Sequence, residues 1–502
     1  MNIGDWIYKR ARTYPSRPFL TQERLTLDNR AFDARVDRMA RVIAALGMTK
    51  GDRIATLMVN SSAFLELFFA CARTGAMIVP LNVNLAAPEL VRILGDCDPR
   101  VLIYSAPRFN ATVEAIREHH PDIVYRPHGD AALPAAAAFP EQEGTPAGAP
   151  EVGSSAALCD PLLIMYTSGT TGSLKGAVLT HENFLFGAIH SLISYGLDAG
   201  CKSLVVAPLF HIGALAASAT PVIYAGGSLV IRDFDNPSDI LHLIVREEIN
   251  YMFAVPVMFK MMAKSPAWSD ADFSRVKFFI AGGAPMPVAL IRKYQEEKKV
   301  DFAQGYGMTE TLRLTSLDLA DAREKAGSIG KEVFHTLLRL VDAQGNEVPD
   351  GEAGEIIVKG PTVFSGYWRR PEATAQVMRR GWFHTGDLGR RDAEGFIYIA
   401  GRKSDIIICA GENIYAVEVE QAIESLPQVA EAAVIGVPDD QRGEVPAAFV
   451  VLKKEARLTA VDLTAALQGR IAAYKIPRKI RFMEALPRNS ASKVVKRELR
   501  LG

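Results

Sequence analysis

The sequence predicts an α/β protein with three parts: a large N-terminal domain of mainly parallel sheets, a small β-rich subdomain, and a small α+β C-terminal domain. Three observations support this prediction. Short apolar strand-like runs alternate with helical periodicity over roughly the first 300 residues. Beyond Gly327, short strands are separated by Gly and Asp turns, and after residue 401 a compact mixed segment follows. We therefore expect an N-terminal domain over residues 1–400 and a C-terminal domain over residues 401–502.

The first part of the chain alternates between helices and strands. Apolar residues recur at helical spacing, and short apolar runs lie between them. The predicted helices span residues 5–14, 29–46, 62–73 and 87–97, and the predicted strands span 54–58, 77–80 and 100–104. Such alternation is typical of a parallel sheet that is covered by helices on both faces.

Residues 127–157 are rich in Ala, Pro, Gly and Glu, and we interpret them as a connecting segment. The alternation then resumes. Further strands are predicted at 203–207, 228–231, 251–255 and 277–281, with helices at 238–248 and 287–298. The β-rich part has strands at 337–341, 354–358 and 395–399; the C-terminal part has helices at 416–425 and 460–472 and strands at 430–436 and 447–452.

Composition and charge exclude several classes of protein. Apolar residues make up 49% and charged residues 23%, as in ordinary globular proteins, and Lys plus Arg equals Asp plus Glu at 57 each. No global basic field is available for nucleic acid. The N-terminus lacks the apolar core of a signal peptide, and no apolar run reaches the ~18 residues of a membrane span. Five scattered cysteines favour a reducing compartment, so we expect a cytoplasmic protein.

The most informative stretch runs from Tyr166 to Val178 and reads Tyr-Thr-Ser-Gly-Thr-Thr-Gly-Ser-Leu-Lys-Gly-Ala-Val. Its backbone N–H groups, hydroxyls, glycines and lysine follow an apolar strand and could hold a polyphosphate. A surface linker is the alternative, but a linker does not need a lysine beside a glycine at this place. The P-loop pattern does not fit, because Lys175 precedes its glycine and Ala177 replaces the magnesium-binding hydroxyl. The stretch is therefore a nucleotide loop of another kind.

Six further clusters of polar and glycine residues follow at intervals. They are Pro208–Gly213, Ala281–Met286, Gln304–Glu310, Trp382–Asp387, Gly401–Asp405 and Leu486–Lys493. Taken singly, each has an ordinary structural explanation: a core tyrosine, a turn aspartate or a solvated lysine. Glycine turns that follow strands are, however, where ligands bind in open α/β sheets. The combination therefore favours a nucleotide-dependent enzyme.

This set of motifs resembles the adenylate-forming superfamily of acyl-CoA synthetases, peptide synthetase adenylation domains and luciferases, most closely its bacterial fatty-acyl-CoA ligase branch. The resemblance extends from about residue 5 to the C-terminus. It implies that a carboxylate attacks the α-phosphate of ATP to give an acyl-adenylate and pyrophosphate, and that the thiol of coenzyme A then forms a thioester. ATP, Mg²⁺ and coenzyme A are thus implied, and the expected partner is a small-molecule carboxylic acid.

The resemblance also implies roles for individual residues. Lys493, Glu310, Thr309 and His211 would be catalytic, and Glu310 and Thr170 would hold Mg²⁺. The residues implied in ATP and AMP binding are Thr167, Ser168, Gly169, Thr170, Thr171, Gly172, Lys175, Gly283, Ala284, Pro285, Gly305, Tyr306, Gly307, Asp387, Ile399 and Arg402. Among these, Tyr306 would stack on adenine and Asp387 would bind the ribose hydroxyls.

Two further groups complete the implied site. The acyl pocket would be formed by His211, Ala214, Phe253, Val255, Gly283 and Leu312, which are mostly apolar or small and favour a fatty or aryl acid over an amino acid. Coenzyme A would meet Gly411, Glu412, Asn413 and Lys475. In the family the mobile C-terminal domain rotates about a hinge, here at Ser404. This rotation removes the catalytic lysine, here Lys493, from the site and admits the thiol of coenzyme A.

Three positions depart from the family pattern. Leu174 replaces a proline in the phosphate loop, Ser404 replaces an aspartate or lysine at the hinge, and Ser492 replaces the glycine before Lys493. These changes bear on efficiency rather than on reaction type. Two alternatives stay open: an enzyme that loads a carrier protein, and a non-catalytic nucleotide-sensing homologue. Peripheral membrane contact and the oligomeric state, a homodimer included, also stay open.

Overall fold

A computed structural model of the chain describes residues 2–129, 156–168, 174–284, 286–409, 412–439, 442–489 and 493–500. The helices that it describes are α1 Gly4–Thr13, α2 Asn29–Ala45, α3 Ser62–Thr74, α4 Ala87–Cys97, α5 Asn110–Arg117, α6 His181–Tyr195, α7 Ile212–Ala214, α8 Thr220–Ala225, α9 Pro237–Arg246, α10 Pro256–Met262, α11 Val288–Lys298, α12 Pro371–Val377, α13 Ala416–Glu424 and α14 Ala460–Leu467.

The strands divide into two long series. Those of the first are β1 Pro18–Gln22, β2 Leu25–Asp28, β3 Arg53–Leu57, β4 Met77–Pro80, β5 Val101–Ser105, β6 Val124–His128, β7 Pro161–Ser168, β8 Leu174–Thr180, β9 Lys202–Val205, β10 Ser228–Ile231, β11 Tyr251–Ala254, β12 Phe278–Ala281 and β13 Phe302–Gln304. Those of the second are β14 Gly307–Met308, β15 Leu312–Arg313, β16 Thr315–Ser316, β17 Lys331–Glu332, β18 Leu337–Val341, β19 Ala353–Lys359, β20 Gly366–Tyr367, β21 Met378–Arg379, β22 Trp382–Arg391, β23 Ile397–Arg402, β24 Ile406–Cys409, β25 Glu412–Tyr415, β26 Val429–Asp439, β27 Gly443–Leu452 and β28 Lys479–Met483.

Two seven-stranded sheets dominate the N-terminal part. Sheet A has the order β13-β12-β11-β9-β10-β1-β2, and sheet B has the order β20-β8-β7-β4-β3-β5-β6. Most neighbours are parallel; β2, β8 and β20 are attached antiparallel. The predicted α/β class is confirmed. The antiparallel edge strands went unpredicted because helix–strand alternation indicates only the parallel crossovers.

The helices begin and end where the sequence carries capping residues. The hydroxyl of Ser61 accepts a hydrogen bond from the backbone N–H of Phe64 at the start of α3, and α3 ends at Gly75 with φ +78°. Helix α6 starts with a reciprocal capping box between Thr180 and Asn183 and ends at Gly196 with φ +61°. Local signals therefore fix the length of the helices that cover the sheets.

Aromatic packing fixes the layer between sheet A and the helices that cover one of its faces. The rings of Phe259, Phe279, Tyr294 and Phe302 are each essentially inaccessible to solvent, and they pack mainly edge to face. Edge-to-face pairs contribute about 0.5–1.5 kcal/mol beyond the burial of their area. This rigid layer supports the ends of β11, β12 and β13.

Two predicted elements differ from the structure. The strand predicted at 203–207 ends at Val205, so His211 lies six residues past the strand and precedes α7. The carbonyls of Val206 and Ala207 accept hydrogen bonds from the buried side chain of Asn60 instead of from a neighbouring strand. The helix predicted at 460–472 ends at Leu467, and Gly469 with φ +74° follows. Periodicity extended the prediction past a glycine that favours the left-handed conformation.

The C-terminal part contains a mixed sheet of its own. Strands β25, β24, β27 and β26 are neighbours in that order, and β28 lies parallel to β27. Helices α13 and α14 contribute Val419, Ile423, Leu463 and Leu467 to its apolar core. The smaller sheet that precedes it in sequence contains β18, β19, β22, β21 and β23, which agrees with the predicted β-rich segment.

Contacts divide the chain into two compact units. The first comprises Met1–Leu337 and Val358–Phe383, and the second comprises Leu338–Ile357 and His384–Gly502. The functional boundary expected at residue 401 stays a prediction. No helix in the described ranges combines the length and the apolar character that crossing a membrane requires.

Candidate active site

The carboxyl ends of three neighbouring strands, β13, β12 and β11, carry predicted site residues. In sheet A, β13, β12, β11 and β9 are consecutive and parallel. Gly305 and Tyr306 follow β13, Gly283 and Ala284 follow β12, and Val255 follows β11. Parallel strands end at one edge of a sheet, and in open α/β folds this edge binds ligands. Residues distant in sequence thus meet at one edge, next to the segment that carries His211.

The ring of Phe253 fills the space beside two glycines at this edge. A Cβ on Gly213 would lie 2.7 Å from Cζ of this ring, and a Cβ on Gly282 would lie 2.7 Å from Cε2. Phe253 and Ala214 are buried, whereas Val255 is partly exposed. The close approach of the ring therefore requires glycine at both positions.

His211 lies just before α7 and is half-buried. Its ring centroid lies 4.6 Å from that of Phe210, and its backbone N–H donates to the carbonyl of Pro208 at 3.0 Å. The backbone turn therefore fixes the histidine near the start of the helix that carries Ala214. Its predicted role beside the acyl group stays a prediction.

The segment Gln304–Arg313 contains a tight hairpin formed by β14 and β15. A Cβ on Gly307 would lie 1.7 Å from the carbonyl oxygen of Leu312, so only glycine fits opposite this residue. The carbonyl of Tyr306 accepts hydrogen bonds from Leu314 and Thr315, at 2.9 and 3.2 Å. Thr309, partly exposed, lies in the turn of the hairpin. The backbone of the predicted adenine-binding segment is thus rigidly held.

Glu310, the predicted magnesium ligand, is almost completely buried, with 5% of its surface exposed. The hydroxyl of Tyr367 donates a hydrogen bond to its Oε1 at 2.9 Å. Burial, and then the charge of Glu310, raise the pKa of Tyr367, so the phenol keeps its proton. A neutral donor therefore stabilises the buried carboxylate.

The same tyrosine contacts the lysine of the phosphate loop. The Nζ atom of Lys175 lies 5.2 Å from the centroid of the Tyr367 ring, a distance at which a cation interacts with an aromatic face. Strand β20, which contains Tyr367, pairs with β8, which contains Lys175. Tyr367 therefore connects the predicted phosphate-binding lysine to the predicted metal-binding carboxylate.

The phosphate stretch is a β-hairpin whose strands are β7 and β8. Thr167 pairs with Lys175 and Ser168 pairs with Leu174, so Leu174, found in place of proline, begins a strand. Gly169, Thr170, Thr171 and Gly172 lie outside the described residues, as do Pro285, Gly411 and Ser492, and only the backbone of Ser168 is described. The hairpin thus brings both ends of the predicted loop together.

A hydrogen-bonded cluster around Asp96 supports the base of this hairpin. The hydroxyl of Tyr166 donates to the carboxylate of Asp96 at 2.5 Å, and Arg370 pairs with the same carboxylate. The indole of Trp368 donates to the Asp96 carbonyl at 3.3 Å. Two residues that follow Tyr367, and the first residue of the phosphate stretch, therefore all contact one aspartate.

Within the second unit, Asp387 and Arg402 form an ion pair. Arg402 Nε lies 3.2 Å from Asp387 Oδ1, and the two residues are paired across β22 and β23. Thr385 donates its hydroxyl to the carbonyl of Ile356 and accepts from the N–H of Asp387. Ile399 is paired with Gly389 on the same two strands. The two residues predicted at the ribose are thus held together in one sheet.

Ser404, the predicted hinge residue, lies in a short 3₁₀ turn over Lys403–Asp405. Its hydroxyl donates to Asp405 at 2.9 Å, and Lys403 pairs with Glu355 at 2.9 Å. Lys496 contacts Asp405 at 3.6 Å and Glu420 at 2.7 Å. The hinge segment of this conformation is thus surrounded by ion pairs.

The remaining predicted residues of the second unit differ in their surroundings. Lys475, proposed for the phosphates of coenzyme A, is held by both carboxylate oxygens of Glu418 at 2.7 and 2.8 Å. Lys493 is exposed, and its backbone exchanges hydrogen bonds with Asn489. Only the backbone of Glu412 and Asn413 is described, in strand β25. Sequence reasoning did not anticipate the partner of Lys475.

Sequence reasoning also missed Tyr367 and Asp96. The run Gly366-Tyr367-Trp368, a glycine followed by two aromatic residues, was a detectable signal in the sequence. In the structure Gly366 has φ +134°, and Tyr367 pairs with β8. Asp96 gave no signal, because it is an ordinary acidic residue near the end of α4. Its role depends on contacts with residues 70 and 274 positions away.

The described residues fit Mg²⁺ held jointly with phosphate oxygens. In these ranges, no group of three or more His, Cys, Asp or Glu side chains could hold a metal. Mg²⁺ is, however, usually bound by one or two carboxylates together with substrate phosphates and water. A single buried carboxylate at Glu310, with a tyrosine donor to orient it, suits this mode.

Comparison with known proteins agrees with this arrangement. Residues 7–368 match the AMP-binding enzyme family, and residues 418–493 match the AMP-binding enzyme C-terminal domain. Feruloyl-CoA synthase of Amycolatopsis sp is 39% identical over 499 residues, which cover 99% of this chain and 98% of the relative. Indoleacetate–CoA ligase of Aromatoleum aromaticum is 37% identical and covers 100% of this chain, with 98% of the relative covered.

A solved structure shares the fold over nearly the whole chain. O-succinylbenzoate coenzyme A synthetase from Bacillus subtilis, in complex with ATP and magnesium ion, has a TM-score of 0.86 and is 33% identical over 98% of each chain. Family, length and fold therefore agree with the predicted chemistry, which uses ATP, Mg²⁺ and coenzyme A. The chain belongs to the AMP-binding enzyme family and is an AMP-forming acid–CoA ligase.

Proposed function

We propose that this ligase activates a carboxylic acid with an aromatic or otherwise apolar body. Two of its relatives are named for feruloyl and indoleacetate groups, both of which carry an aromatic ring. The observation that supports the proposal most directly is the apolar surface at the carboxyl edge of sheet A. There the ring of Phe253 lies against Gly213 and Gly282, beside Ala214. Flat, apolar surfaces of this kind favour a flat or aliphatic acid.

Absence of a carboxylate from the predicted pocket supports the same acid class. Its members are His211, Ala214, Phe253, Val255, Gly283 and Leu312. An amino acid substrate would place an ammonium group where this set offers it no acidic partner, and an unpaired buried charge is costly. We therefore propose a fatty or aryl acid rather than an amino acid.

In the first half-reaction, an oxygen of the carboxylate attacks the α-phosphorus of ATP, and the bond from that phosphorus to the pyrophosphate oxygen breaks. We assign Lys175 and the hydroxyls of the phosphate loop to the β- and γ-phosphates, and Thr309 to the α-phosphate. Glu310 would hold Mg²⁺, which supplies charge neutralisation at the phosphates when bound. Tyr367 keeps the carboxylate of Glu310 and the ammonium of Lys175 in place. The protein's task is positioning and charge stabilisation.

The second unit would supply the remaining groups. We assign Asp387, with Arg402 beside it, to the ribose hydroxyls, and Lys493 to the negative charge that develops during adenylation. In the second half-reaction, the sulfur of coenzyme A attacks the acyl carbon, and the bond to AMP breaks. The rotation about Ser404, the coenzyme contacts of Lys475 and the domain boundary at residue 401 stay proposals.

We also propose a cytoplasmic location. All five cysteines are free, and four of them are buried. Burial raises the pKa of the Cys97 thiol to about 12, which keeps this thiol unreactive. Free thiols suit a reducing compartment. Fractionation of the source cells would test this location.

The test of the proposed function is pyrophosphate release with ATP, Mg²⁺ and a panel of acids from acetate to long-chain and aryl acids, with and without coenzyme A. We expect turnover that depends on coenzyme A, an acyl-CoA product, and highest kcat/KM for aryl or apolar acids. A single-turnover burst that coenzyme A does not change would indicate a carrier-protein acceptor. If no acid of the panel supports pyrophosphate release and ATP still binds, the sensing alternative would be favoured.

A further inference from the structure

A single turn of π-helix interrupts the helical segment that follows His211. This turn comprises Leu215–Ala219 and lies between α7 and α8; we call it the π turn. The backbone N–H of Thr220 donates to the carbonyl of Leu215, five residues earlier, whereas an α-helix pairs residues four apart. π-Helices account for well under about 1% of residues and occur frequently at functional sites. This one directly follows Ala214, so it lies beside a predicted wall residue of the acyl pocket.

A proline explains why the helix departs from α-helical pairing at this place. In an α-helix the carbonyl of Ala217 would accept from the N–H of the residue at position 221. Pro221 has no N–H, and its ring would crowd that carbonyl. The hydroxyl of Tyr251 supplies a donor to the Ala217 carbonyl, and Tyr251 is only 1% exposed. The π turn therefore depends on a buried side chain from a neighbouring strand.

Strand β11 holds this helical segment at two points. Tyr251 and Phe253 lie two residues apart on β11 and therefore share a face of the strand. The hydroxyl of Tyr251 contacts Ala217. The ring of Phe253 packs so closely on Gly213 that a Cβ there would lie 2.7 Å from its Cζ atom. Since Gly213 and Ala217 are about one helical turn apart, the chain between them, which includes Ala214, is fixed at both ends by one strand.

Tyr251 also connects this segment to another residue of the predicted pocket. The guanidinium of Arg313 donates a hydrogen bond to the hydroxyl of Tyr251. Arg313 directly follows Leu312, which the family resemblance assigns to the acyl pocket. Burial raises the pKa of Tyr251, so the phenol keeps the proton that it donates to Ala217. One hydroxyl therefore links the chain segments that carry Leu312 and Ala214.

We propose that Tyr251 is a positioning residue for acid selectivity, because its hydroxyl maintains the π turn and the π turn sets where Ala214 faces the acyl pocket. This inference rests on the proposed function, since it concerns the pocket for the acid. The π turn holds one residue more than a turn of α-helix, so its loss would rotate Ala214 by about 100° relative to α8. One methylene more or less in an apolar pocket changes discrimination by about 10–200-fold. A displaced wall residue should therefore reduce the selectivity for acid length.

Two series of acids that differ in length test this role. The aryl series is phenylacetic, 3-phenylpropanoic, 4-phenylbutanoic and 5-phenylpentanoic acid, and the aliphatic series runs from hexanoic to dodecanoic acid in steps of two carbons. Selectivity is the ratio of the highest to the lowest kcat/KM within a series. We expect a wild-type ratio of about 100-fold or more in at least one series. Tyr251→Phe, which keeps the ring, should reduce this ratio by about tenfold or more and leave KM for ATP unchanged.

Two further variants separate this role from a loss of stability. Tyr294→Phe also removes a buried hydroxyl that donates to a helical carbonyl, that of Phe259 at 2.9 Å, but in the core on the other face of β11. It should lower the urea midpoint to a similar extent and keep the wild-type ratio. Thr220→Val removes the hydroxyl that donates to the Leu215 carbonyl at 2.9 Å, and it should reduce the ratio less than Tyr251→Phe does.

Three results would overturn the proposal. The first is a wild type without selectivity in either series, because there would be no selectivity for the π turn to set. The second is a Tyr251→Phe protein that keeps the wild-type ratio. The third is a Tyr294→Phe protein that loses the ratio to the same extent as Tyr251→Phe, since the effect would then follow from lost stability alone.

Failure of the proposed function gives a different result. If the wild type releases no pyrophosphate with any acid, that function fails, and hydrogen exchange of the backbone amides in residues 212–220 tests the π turn alone. We expect exchange there to be about tenfold faster in Tyr251→Phe than in the wild type, because this variant loses a hydrogen bond to the π turn. Tyr294→Phe should leave it unchanged. Equal exchange in the wild type and in Tyr251→Phe would refute the role of the hydroxyl.

Discussion

Substituting Tyr367 by phenylalanine should separate two properties of the site, the stability of the first unit and its use of Mg²⁺. The variant removes the hydroxyl that donates to Glu310 at 2.9 Å and keeps the ring that lies 5.2 Å from the Lys175 ammonium. A hydrogen bond to a charged acceptor contributes about 1.5–3 kcal/mol. Since Glu310 is 5% exposed, water cannot easily replace the lost donor. We expect the free energy of unfolding to fall by about 2 kcal/mol.

Magnesium dependence gives the second readout. Groups that orient a metal ligand from behind typically account for about 10–100-fold in metal affinity or activity. We therefore expect the Mg²⁺ concentration for half-maximal pyrophosphate release to rise by about tenfold or more in Tyr367→Phe. KM for the acid should change little, since the ring remains. Urea unfolding and a Mg²⁺ titration of the adenylation rate are the two measurements.

Tyr294→Phe is the matched control. Its hydroxyl also donates at 2.9 Å, but to the neutral carbonyl of Phe259, in the core beneath sheet A. We expect a loss of about 0.5–1.5 kcal/mol and an unchanged Mg²⁺ dependence. The reasoning would be refuted if Tyr367→Phe needed no more Mg²⁺ than the wild type and lost no more stability than this control.

Three other changes have defined outcomes. Lys493→Ala should lower the rate of adenylate formation by about 100-fold or more and leave the thermal midpoint unchanged, because the side chain is exposed. Lys454→Ala, which also changes an exposed lysine, is the control. Equal adenylation rates in the two variants would contradict the role assigned to Lys493. Gly213→Ala would place a Cβ 2.7 Å from the ring of Phe253, so it should lower the free energy of unfolding by about 1–3 kcal/mol and reduce kcat/KM for bulky acids. Gly95→Ala in helix α4 is the control: its Cβ would lie 3.6 Å from the nearest atom, so this variant should not lose stability. Burial lowers the pKa of His181 to about 4, so below pH 6.5 the unfolded chain binds the proton and the folded protein does not. The free energy of unfolding should then fall by about 3 kcal/mol between pH 6.5 and 4. In His181→Gln the urea midpoint should fall less over this range than in the wild type. Identical pH profiles of the two proteins would exclude His181 as the source of the pH dependence.

Much of the fold could be predicted because the signals were local. Helices α2, α3 and α4 and the strands beside them carry clear periodicity and caps, so their bounds agree with expectation to within a residue or two. The antiparallel edges, by contrast, depend on pairing at long range. Strand β20 joins β8 across almost two hundred residues, and nothing within two short segments indicates such a pairing.

The candidate site could be predicted as motifs, but its supporting contacts could not. Residue types around Tyr306, Glu310 and Lys493 indicate nucleotide chemistry because that chemistry needs rings, carboxylates and cations. Tyr367 became visible only through the contacts that it makes with Glu310 and Lys175. The pairing of Lys475 with Glu418 likewise depends on folding that brings residues 57 positions apart together.

The interleaving of the two units also bears on synthesis of the chain. Glu310 precedes its tyrosine partner by 57 residues, part of which belong to the other unit. At roughly 5–20 residues per second, a ribosome needs roughly 3 to 11 seconds to make the stretch between them. During that interval the nascent first unit has neither the donor for its buried carboxylate nor the strand that covers the edge of β8. Uncovered strand edges promote aggregation. Chaperone contact at this stage of translation would protect a chain that is otherwise nearly complete in its first unit.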